Sequence, residues 1–272
     1  MSTFAYRDAS DDDARTLQEL AIRALKLDLG AVNRAGATAN MSGLQTDRYQ
    51  FSQRTDSRTV FLQDTEFQAH GGAGVFEGPD DELIERAVQI LGDIGVDTAE
   101  VAERNVATEQ AEAASIDRRT GVITSAGIRD GKRYALLSRA VDGMPVWRSS
   151  VTLGLTRDGS PGYLQLHWPE IPGDVLKTAR GFRSAESSDW SPPSIDYAEP
   201  ESMQAGILHS PAVSLVMDHV AVIRVIYRPL TEEVGKKPVR YLDLDGQPVP
   251  LPRHFEEVPG PVERSRAAPS AA

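Results

Sequence analysis

Five histidines are the side chains of this chain that could do acid–base or metal chemistry near neutral pH. They are His70, His167, His209, His219 and His254. None of them pairs with another at the spacing of HExxH or a comparable zinc motif, so no zinc site is encoded locally. A His-Asp-Ser triad could still assemble in space, because its members need not be close in sequence. We expect ordinary strand and loop histidines, with no catalytic residue, no metal site and no cofactor.

Two further stretches look like ligand loops but lack the surrounding pattern that such loops need. The glycines of "HGGAGVFEG" at 70–78 are not followed by the Gly-Lys-Ser/Thr of a phosphate loop, and no parallel βαβ unit surrounds them. The stretch "DLDGQ" at 243–247 begins like a calcium loop, but "PVPLP" replaces the later ligands. The first stretch therefore predicts a flexible connection and the second a turn.

Binding residues are better candidates, and they cluster between 133 and 170. Trp147 follows a predicted turn, where side chains tend to be exposed, and Arg139 and Arg148 flank the same hairpin, where they could pair with an acidic partner. Tyr163 and His167 alternate with apolar residues and are predicted to face outward together. A concave sheet lined by aromatic side chains can hold a peptide or an apolar small molecule. The sequence thus predicts a binding surface at these five residues.

These residues would be positioned by a three-stranded antiparallel meander. Asp142-Gly143 and Asp158-Gly159 are two-residue turn signals between apolar runs. Apolar and polar residues alternate over 151–156 and again over 163–168, the period of a half-buried strand. We expect the meander to be covered on one face by a helix.

Two helices are predicted upstream, each beginning with a run of carboxylates that suits the helix dipole. The first begins after Ser10 and stops near Gly30; the second begins at Pro79 and closes at Gly95. Strands are predicted around 38–45, 48–54 and 58–68, and a long strand over 97–118. Residues 171–206 have a loop-like pattern, with one helical turn at 175–180, followed by a strand from about 220 and a hairpin partner in "KKPVRYLDLDGQPVPL".

The fold class is therefore α+β, with two helix-plus-antiparallel-sheet modules and a less regular C-terminal region. The predicted boundaries are an N-terminal module at 1–77, a helix-plus-meander module at 78–170, an irregular segment with a hairpin at 171–258, and a disordered tail at 259–272.

The net charge, the cysteine content and the lengths of the apolar runs argue against several classes of function. The formal charge of −11 over 272 residues argues against nucleic acid and anionic membranes as partners. The absence of cysteine excludes disulfides and thiolate chemistry. No apolar run is long enough to cross a bilayer, and no secretory signal precedes the first helix, so a cytoplasmic location is predicted for the sequence as it stands. An extracytoplasmic location stays open if the chain is a piece of a longer one.

The helix that ends in "AVQILGDIGVD", followed by "SRAVDGMPVWRSSVTLGLTRDG", resembles PepSY-type and thermolysin-propeptide-type modules and the YycH/YycI-like regulatory proteins. The likeness covers about 80–170, and 10–76 only in element order. It implies a cystatin-like arrangement, a helix wrapped by a curved antiparallel sheet. Modules of this kind bind or inhibit proteins or regulate a signalling partner.

Three functions remain open from the sequence. The first is a non-catalytic protein- or peptide-binding module, an inhibitor or regulator, that offers the meander and an exposed strand edge to its partner. The second is an enzyme or cyclase that uses an apolar pocket between helix and curved sheet. The third is a structural subunit of a larger assembly, with contacts made by the polar 97–118 segment and the proline-rich tail.

Overall fold

The computed structural model describes residues 7–8, 11–37, 41–54, 59–69, 74–186, 190–195, 198–211, 217–230 and 237–249. Within these ranges, twelve strands form one large and mostly antiparallel sheet, and a few helices pack beside it. The mixed α+β class predicted from sequence is confirmed. The two-module arrangement is not confirmed, because the strands of both predicted modules belong to the same sheet. None of the helices in the described ranges is long and apolar enough to span a membrane.

The helices are α1 (Asp11–Leu20, continued by a π-helical segment over Ala21–Leu25), α2 (Thr65–Ala69), α3 (Asp80–Ile94) and α4 (Gly173–Glu186), with a short 3₁₀ turn at Thr98–Glu100. The strands are β1 (Arg7–Asp8), β2 (Arg34–Ala37), β3 (Met41–Gln45), β4 (Tyr49–Arg54), β5 (Thr59–Asp64), β6 (Val101–Ile116), β7 (Ile123–Val141), β8 (Met144–Leu155), β9 (Pro161–His167), β10 (Ala198–Pro211), β11 (Met217–Pro229) and β12 (Val239–Leu242).

The sheet runs in the order β1-β2-β3-β4-β5-β9-β8-β10-β11-β12, and β7 with its partner β6 pairs with β8 outside this path. All pairings are antiparallel except that of β8 with β10. The predicted meander of β7, β8 and β9, the long strand β6 and the hairpin of β11 with β12 are thereby confirmed. The predicted tail at 259–272 lies outside the described residues.

The first hydrophobic core lies between α1, α3 and one face of β3–β9. Leu83, Ala87, Ile90 and Leu91 of α3 are fully buried there, and the helix ends at Gly95 in the left-handed region (φ 88°), as the sequence predicts. From the sheet, alternate residues such as Leu62, Leu153 and Leu164 point into the same core, each 0% exposed.

A second core lies under α4 and corrects the prediction for residues 171–206. This segment is a 14-residue helix followed by a 14-residue strand, not a loop. Ala179 and Phe182 of α4 are buried against Ile207 of β10 and Val225 of β11. The helix is predominantly polar in sequence, so its stability comes from these tertiary contacts, which a local pattern does not reveal. Among the described residues from 171 to 249, the C-terminal region therefore has regular elements, α4, β10, β11 and β12, where the sequence predicts a less regular segment.

The strand predicted over 58–68 is shorter in the structure, where β5 ends at Asp64. The last residues of the predicted strand form α2, because the ring of Phe67 docks on the backbone of β8 and β9 at Gly154 and Gly162. A Cβ at either glycine would lie within 2.7 Å of that ring. The two glycines thus make room for the aromatic side chain.

The two cores meet at β8. This strand pairs with three other strands, although it has only two edges. β7 occupies one edge along its length, while β9 pairs with Ser150–Leu155 on the other edge. β10 pairs with that same edge at Val146 and Trp147 only. Three additional residues of β8, 147–149, bulge between these pairings, and Arg148 takes a left-handed conformation (φ 67°).

This topology removes the exposed strand edge that the sequence predicts for the meander. The outer edge of β7 is paired with β6 from Val101 to Ile116, and the outer edge of β9 is paired with β5. Within the described residues, the edges without a partner strand are those of β1, β6 and β12. The prediction that a partner strand adds to the meander itself is therefore wrong, because both of its outer edges are already paired.

The close approach of β10 to β8 can be tested at Gly206. A Cβ there would lie 2.6 Å from the carbonyl oxygen of Pro145 and 2.8 Å from the Trp147 ring. Because a backbone oxygen cannot rotate away, we expect Gly206→Ala to lower the free energy of unfolding by about 1–3 kcal/mol in urea denaturation.

The matched control is Gly181→Ala on α4, where a Cβ has no neighbour within 4 Å. A helical glycine replaced by alanine should gain about 0.5–1 kcal/mol. Equal stability of Gly206→Ala and wild type would contradict the tight β8–β10 contact.

Candidate functional site

The candidate site is the sheet face that lies opposite α1 and α3. Strand alternation places one set of side chains of β5 and β9 in the first core and the other set on this second face. The second set pairs across the strands in register, as Gln63 with Tyr163, Phe61 with Gln165, and Thr59 with His167. We call this surface the open face, because no described helix other than the short α2 packs on it. The sequence predicts that Tyr163 and His167 lie on the same outward face of their strand, and this arrangement agrees with that prediction.

Four aromatic rings form a continuous wall on the open face. Phe61, Tyr163, Tyr134 and Phe67 meet edge to face, with successive centroid distances of 6.0, 5.7 and 6.2 Å. The Tyr163 hydroxyl donates to Gln165 Oε1 at 3.0 Å. Burial, with a smaller contribution from Glu109, raises the pKa of Tyr134 to about 12, so this phenol stays protonated and is no base at neutral pH. The wall therefore offers apolar area rather than acid–base chemistry.

Beside this wall the sheet carries a hollow of about 480 Å³. Small residues form its floor, since Gly36, Gly43 and Ser52 are paired in one row across β2, β3 and β4, and the row ends at Phe61. The exposed amides of Gln45 and Gln50 and the guanidinium of Arg34 border it. Sequence reasoning did not find this hollow, because the row of small side chains exists only once the strands are in register.

A second hollow of about 550 Å³ lies near α2, and its lining carries charges of both signs. Arg48 and Asp64 are bound to each other there, with 2.7 Å between Nη2 and Oδ2, and this bond raises the pKa of Arg48 further above its ordinary value. Because its strongest charges are satisfied within the chain, this hollow is a weaker candidate for a ligand.

At the end of the open face, three histidines from three strands stack ring on ring. The His167 and His209 ring centroids lie 4.4 Å apart, and those of His209 and His219 lie 4.6 Å apart. A 3.2 Å hydrogen bond joins His209 Nδ1 and His219 Nε2, and Thr59 Oγ1 lies 2.7 Å from His167 Nδ1. We call this group the histidine stack. The stack forms because β9 occupies this edge of β8 from Ser150 onward. β10 pairs with the same edge at Val146 and Trp147, so it has to leave the edge after that point and runs past His167.

The histidine stack is neutral at physiological pH. Burial is the main cause that lowers the pKa of His167 to about 4, that of His209 to about 3 and that of His219 to about 4. The guanidinium groups of Arg54, Arg139 and Arg148 act in the same direction. Within the described ranges, no group of three or more acidic or histidine side chains is arranged to hold a metal ion. His70 and His254 lie outside those ranges.

The other predicted binding residues lie where the two hydrophobic cores meet, near residues 146–149 of β8. We call this region the joint. Arg139 is 5% exposed; its Nε donates to Glu100 Oε2 at 2.8 Å, and its Nη1 donates to the Pro169 carbonyl at 2.5 Å. The sequence predicts a solvated Arg139 that could pair with an acidic partner protein. In the structure Arg139 instead forms an ion pair with Glu100 of the same chain. Trp147 is half-buried against Gly206, and its ring lies 5.6 Å from that of Tyr241.

The structure thus brings Arg139, Arg148 and His167 to one region, places Trp147 behind the joint, and leaves Tyr163 on the aromatic wall. His209 and His219 are the site residues that sequence reasoning missed as a group. Their pairing across β10 and β11 could have been found from the hairpin register alone, whereas the contact with His167 depends on the bulge of β8.

Acid should destabilise the fold through the histidine stack. Above pH 6.5, the ordinary histidine pKa, folded and unfolded chains are both neutral at these sites, and their contribution to stability is complete. As the pH falls towards 4, the unfolded chain binds protons that the folded stack excludes, so the free energy of unfolding decreases. A histidine whose pKa falls from 6.5 to about 4 contributes about 3 kcal/mol to this loss.

Urea denaturation between pH 7 and pH 4 measures the effect. The control is His209→Phe, which keeps a ring between His167 and His219 but cannot bind a proton. We expect this variant to lose less stability with acid than the wild type. Equal losses in the two proteins would contradict a buried, neutral stack.

Comparisons with known proteins leave the family open. No family model and no curated protein matches this chain. Its structure is similar to that of an uncharacterized protein from Eubacterium rectale ATCC 33656, with 12% identity, 91% of this chain and 87% of the other covered, and a TM-score of 0.42. It is also similar to the Bacillus megaterium YpeB C-terminal domain, with 11% identity, 87% and 99% covered, and a TM-score of 0.34. Both TM-scores are below 0.5, so the site is interpreted from its own residues and the PepSY-type resemblance remains a prediction.

Proposed function

We propose that this chain is a non-catalytic binding protein that holds an extended peptide, or an extended segment of a partner protein, across the open face. The observation that carries the proposal is the hollow over Gly36, Gly43 and Ser52, bordered by the aromatic wall on a sheet face where α2 is the one described helix that packs. The role would be that of an inhibitor or regulator.

The chemistry around the hollow suits a peptide. A peptide backbone needs donors and acceptors along its length, and the side-chain amides of Gln45, Gln50 and Gln165 are exposed and supply both. An apolar side chain of the ligand would lie against Phe61 and Tyr163, where aromatic contacts add to the burial of apolar area. Binding by side chains on a face replaces the strand addition expected from the sequence.

The alternative of an enzyme or cyclase has less support from the same residues. Of the described residues that line the hollow, only Arg34 carries a charge, so no acid and base face each other across it. The histidine stack is no better placed as a base, because two of its members are bonded to each other and all three pKa values are lowered.

Filling the hollow tests the proposal. A Cβ at Gly43 would meet Ser52 Cβ at 3.4 Å, an ordinary contact, so Gly43→Leu should fold and place its side chain in the hollow. Peptides would first be selected on immobilised wild-type protein from a displayed random library. We expect Gly43→Leu to weaken their binding at least about tenfold in a titration, since the hollow can no longer accept a side chain.

The matched control is Gly181→Leu on α4, which adds the same side chain in open space. It should leave the dissociation constants unchanged, and both variants should unfold at wild-type temperature or above. Selected peptides that bind Gly43→Leu as tightly as wild type would overturn the proposal.

A further inference from the structure

The open face carries charge of one sign around the hollow. Of the residues that alternate onto this face from β2, β3, β4 and β5, two are charged, Arg34 on β2 and Arg54 on β4. β9 and β8 add no acidic residue to it. Among the described strands, the next acidic positions in register are Asp8 of β1, at the sheet edge, and Glu103 of β6, at the far end. In a chain with 40 acidic and 29 basic residues, a surface whose charges are arginines favours an anionic ligand.

The two arginines lie on opposite sides of Gly43, the central residue of the hollow's floor. Gly43 pairs with Gly36 on β2 and with Ser52 on β4. Arg34 precedes Gly36 by two residues, and Arg54 follows Ser52 by two residues. Because β2 and β4 are both antiparallel to β3, they run in the same direction, so the two arginines are displaced from the floor in opposite directions. At about 4.8 Å between strands and about 3.3 Å per residue, the Cα of each arginine is about 8 Å from that of Gly43, and the three lie on one diagonal of the sheet.

Both ends of this diagonal present a positive charge to a ligand that crosses the hollow. Arg34 is exposed, and within the described ranges no carboxylate lies within ion-pair distance of it. Its neighbours in the same cross-strand row are Gln45 and Gln50, whose exposed side-chain amides can also donate to an oxyanion. Arg54 is partly buried, and its charge contributes to the lowered pKa of His167. A carboxylate placed at either end would therefore lie in a favourable field.

We propose that the ligand of the open face is an acidic peptide. An apolar residue of this peptide fills the hollow, and acidic residues two positions before and two positions after it pair with Arg34 and Arg54. The inference rests on the proposed function of the open face and names the class of peptide that it takes. In an extended peptide, residues two positions apart point to the same side and are about 6.7 Å from each other. The long arginine side chains bridge the remaining difference, and a guanidinium can hold a carboxylate through two parallel hydrogen bonds.

Three labelled peptides separate the spacing of the charges from the net charge. Each has a central leucine among serine and threonine residues. The first has a glutamate at the second position on either side of the leucine, and the second peptide has glutamines there. The third has its two glutamates directly beside the leucine, where an extended chain points them away from the sheet. In fluorescence anisotropy titrations at low salt, we expect wild type to bind the first peptide about tenfold more tightly than either of the others, since each ion pair contributes about threefold.

Variants of the two arginines test the assigned contacts. Arg34→Gln/Arg54→Gln should bind the three peptides with similar affinity, because both positive charges are lost. Arg34→Gln alone changes an exposed side chain and should bind the first peptide about threefold more weakly than wild type, which keeps the test valid if the double variant does not fold. The matched control is Arg23→Gln, an exposed arginine on the π-helical continuation of α1, which should keep the wild-type preference. Circular dichroism would verify that each variant folds.

The outcomes distinguish this inference from the proposed function on which it rests. If wild type binds the first peptide no more tightly than the second or the third, the acidic class with this spacing is overturned. If Gly43→Leu weakens the binding of those same peptides, the hollow is still the binding site and the inference alone fails. If none of the peptides binds, or if Gly43→Leu leaves their binding unchanged, both the inference and the proposed function are overturned.

Discussion

Backbone hydrogen bonding along β8 has to satisfy three partner strands with only two edges. β7 takes one edge, and the other is divided between β9 at Ser150–Leu155 and β10 at Val146 and Trp147. The division requires the bulge at 147–149, and the bulge in turn sends β10 away from the edge. The second core, the histidine stack and the end of the open face all depend on this division of one strand edge.

The joint between the two cores is electrostatic as well as steric. Arg139 lies on β7 between Leu137, which belongs to the first core, and Val141, which packs on the second. Glu100 accepts from both the Arg139 guanidinium and the Trp168 indole, at 2.8 and 2.9 Å, and the guanidinium lies 5.2 Å from the Trp168 ring. A buried charge with this many partners fixes geometry more than it adds net stability, because desolvation offsets most of the attraction. We interpret Arg139 as the residue that sets how the two cores meet.

The placement of the helices explains why the open face is available. Both α1 and α3 pack on one face of β3–β9, where Leu62, Leu153 and Leu164 require cover. The other face carries glutamine, threonine and tyrosine at the alternate positions, which water can solvate, together with Phe61 and the largely buried His167. A sheet covered on one side only is common among antiparallel sheets. Here the uncovered side also contains a hollow and an aromatic wall, which is what distinguishes it from a merely solvated surface.

The sequence by itself determined the local elements. Alternation over 151–156 and 163–168, the turns at Asp142-Gly143 and Asp158-Gly159, and the helix between Pro79 and Gly95 are patterns of neighbouring residues, and the structure confirms all of them. The outward pairing of Tyr163 with His167 follows from the same alternation. Local patterns report which face of an element is apolar, and no more than that.

Only the tertiary structure decided which elements meet. The polar helix α4 is held by burial of Ala179 and Phe182, the small-residue floor exists through the register of three strands, and Arg139 is buried because Glu100 is brought to it from 39 residues away. His167, His209 and His219 are likewise unremarkable in sequence and come together because one strand edge is shared. Such contacts join residues far apart in the chain, and their free energy depends on register and packing, neither of which is written in a run of adjacent residues.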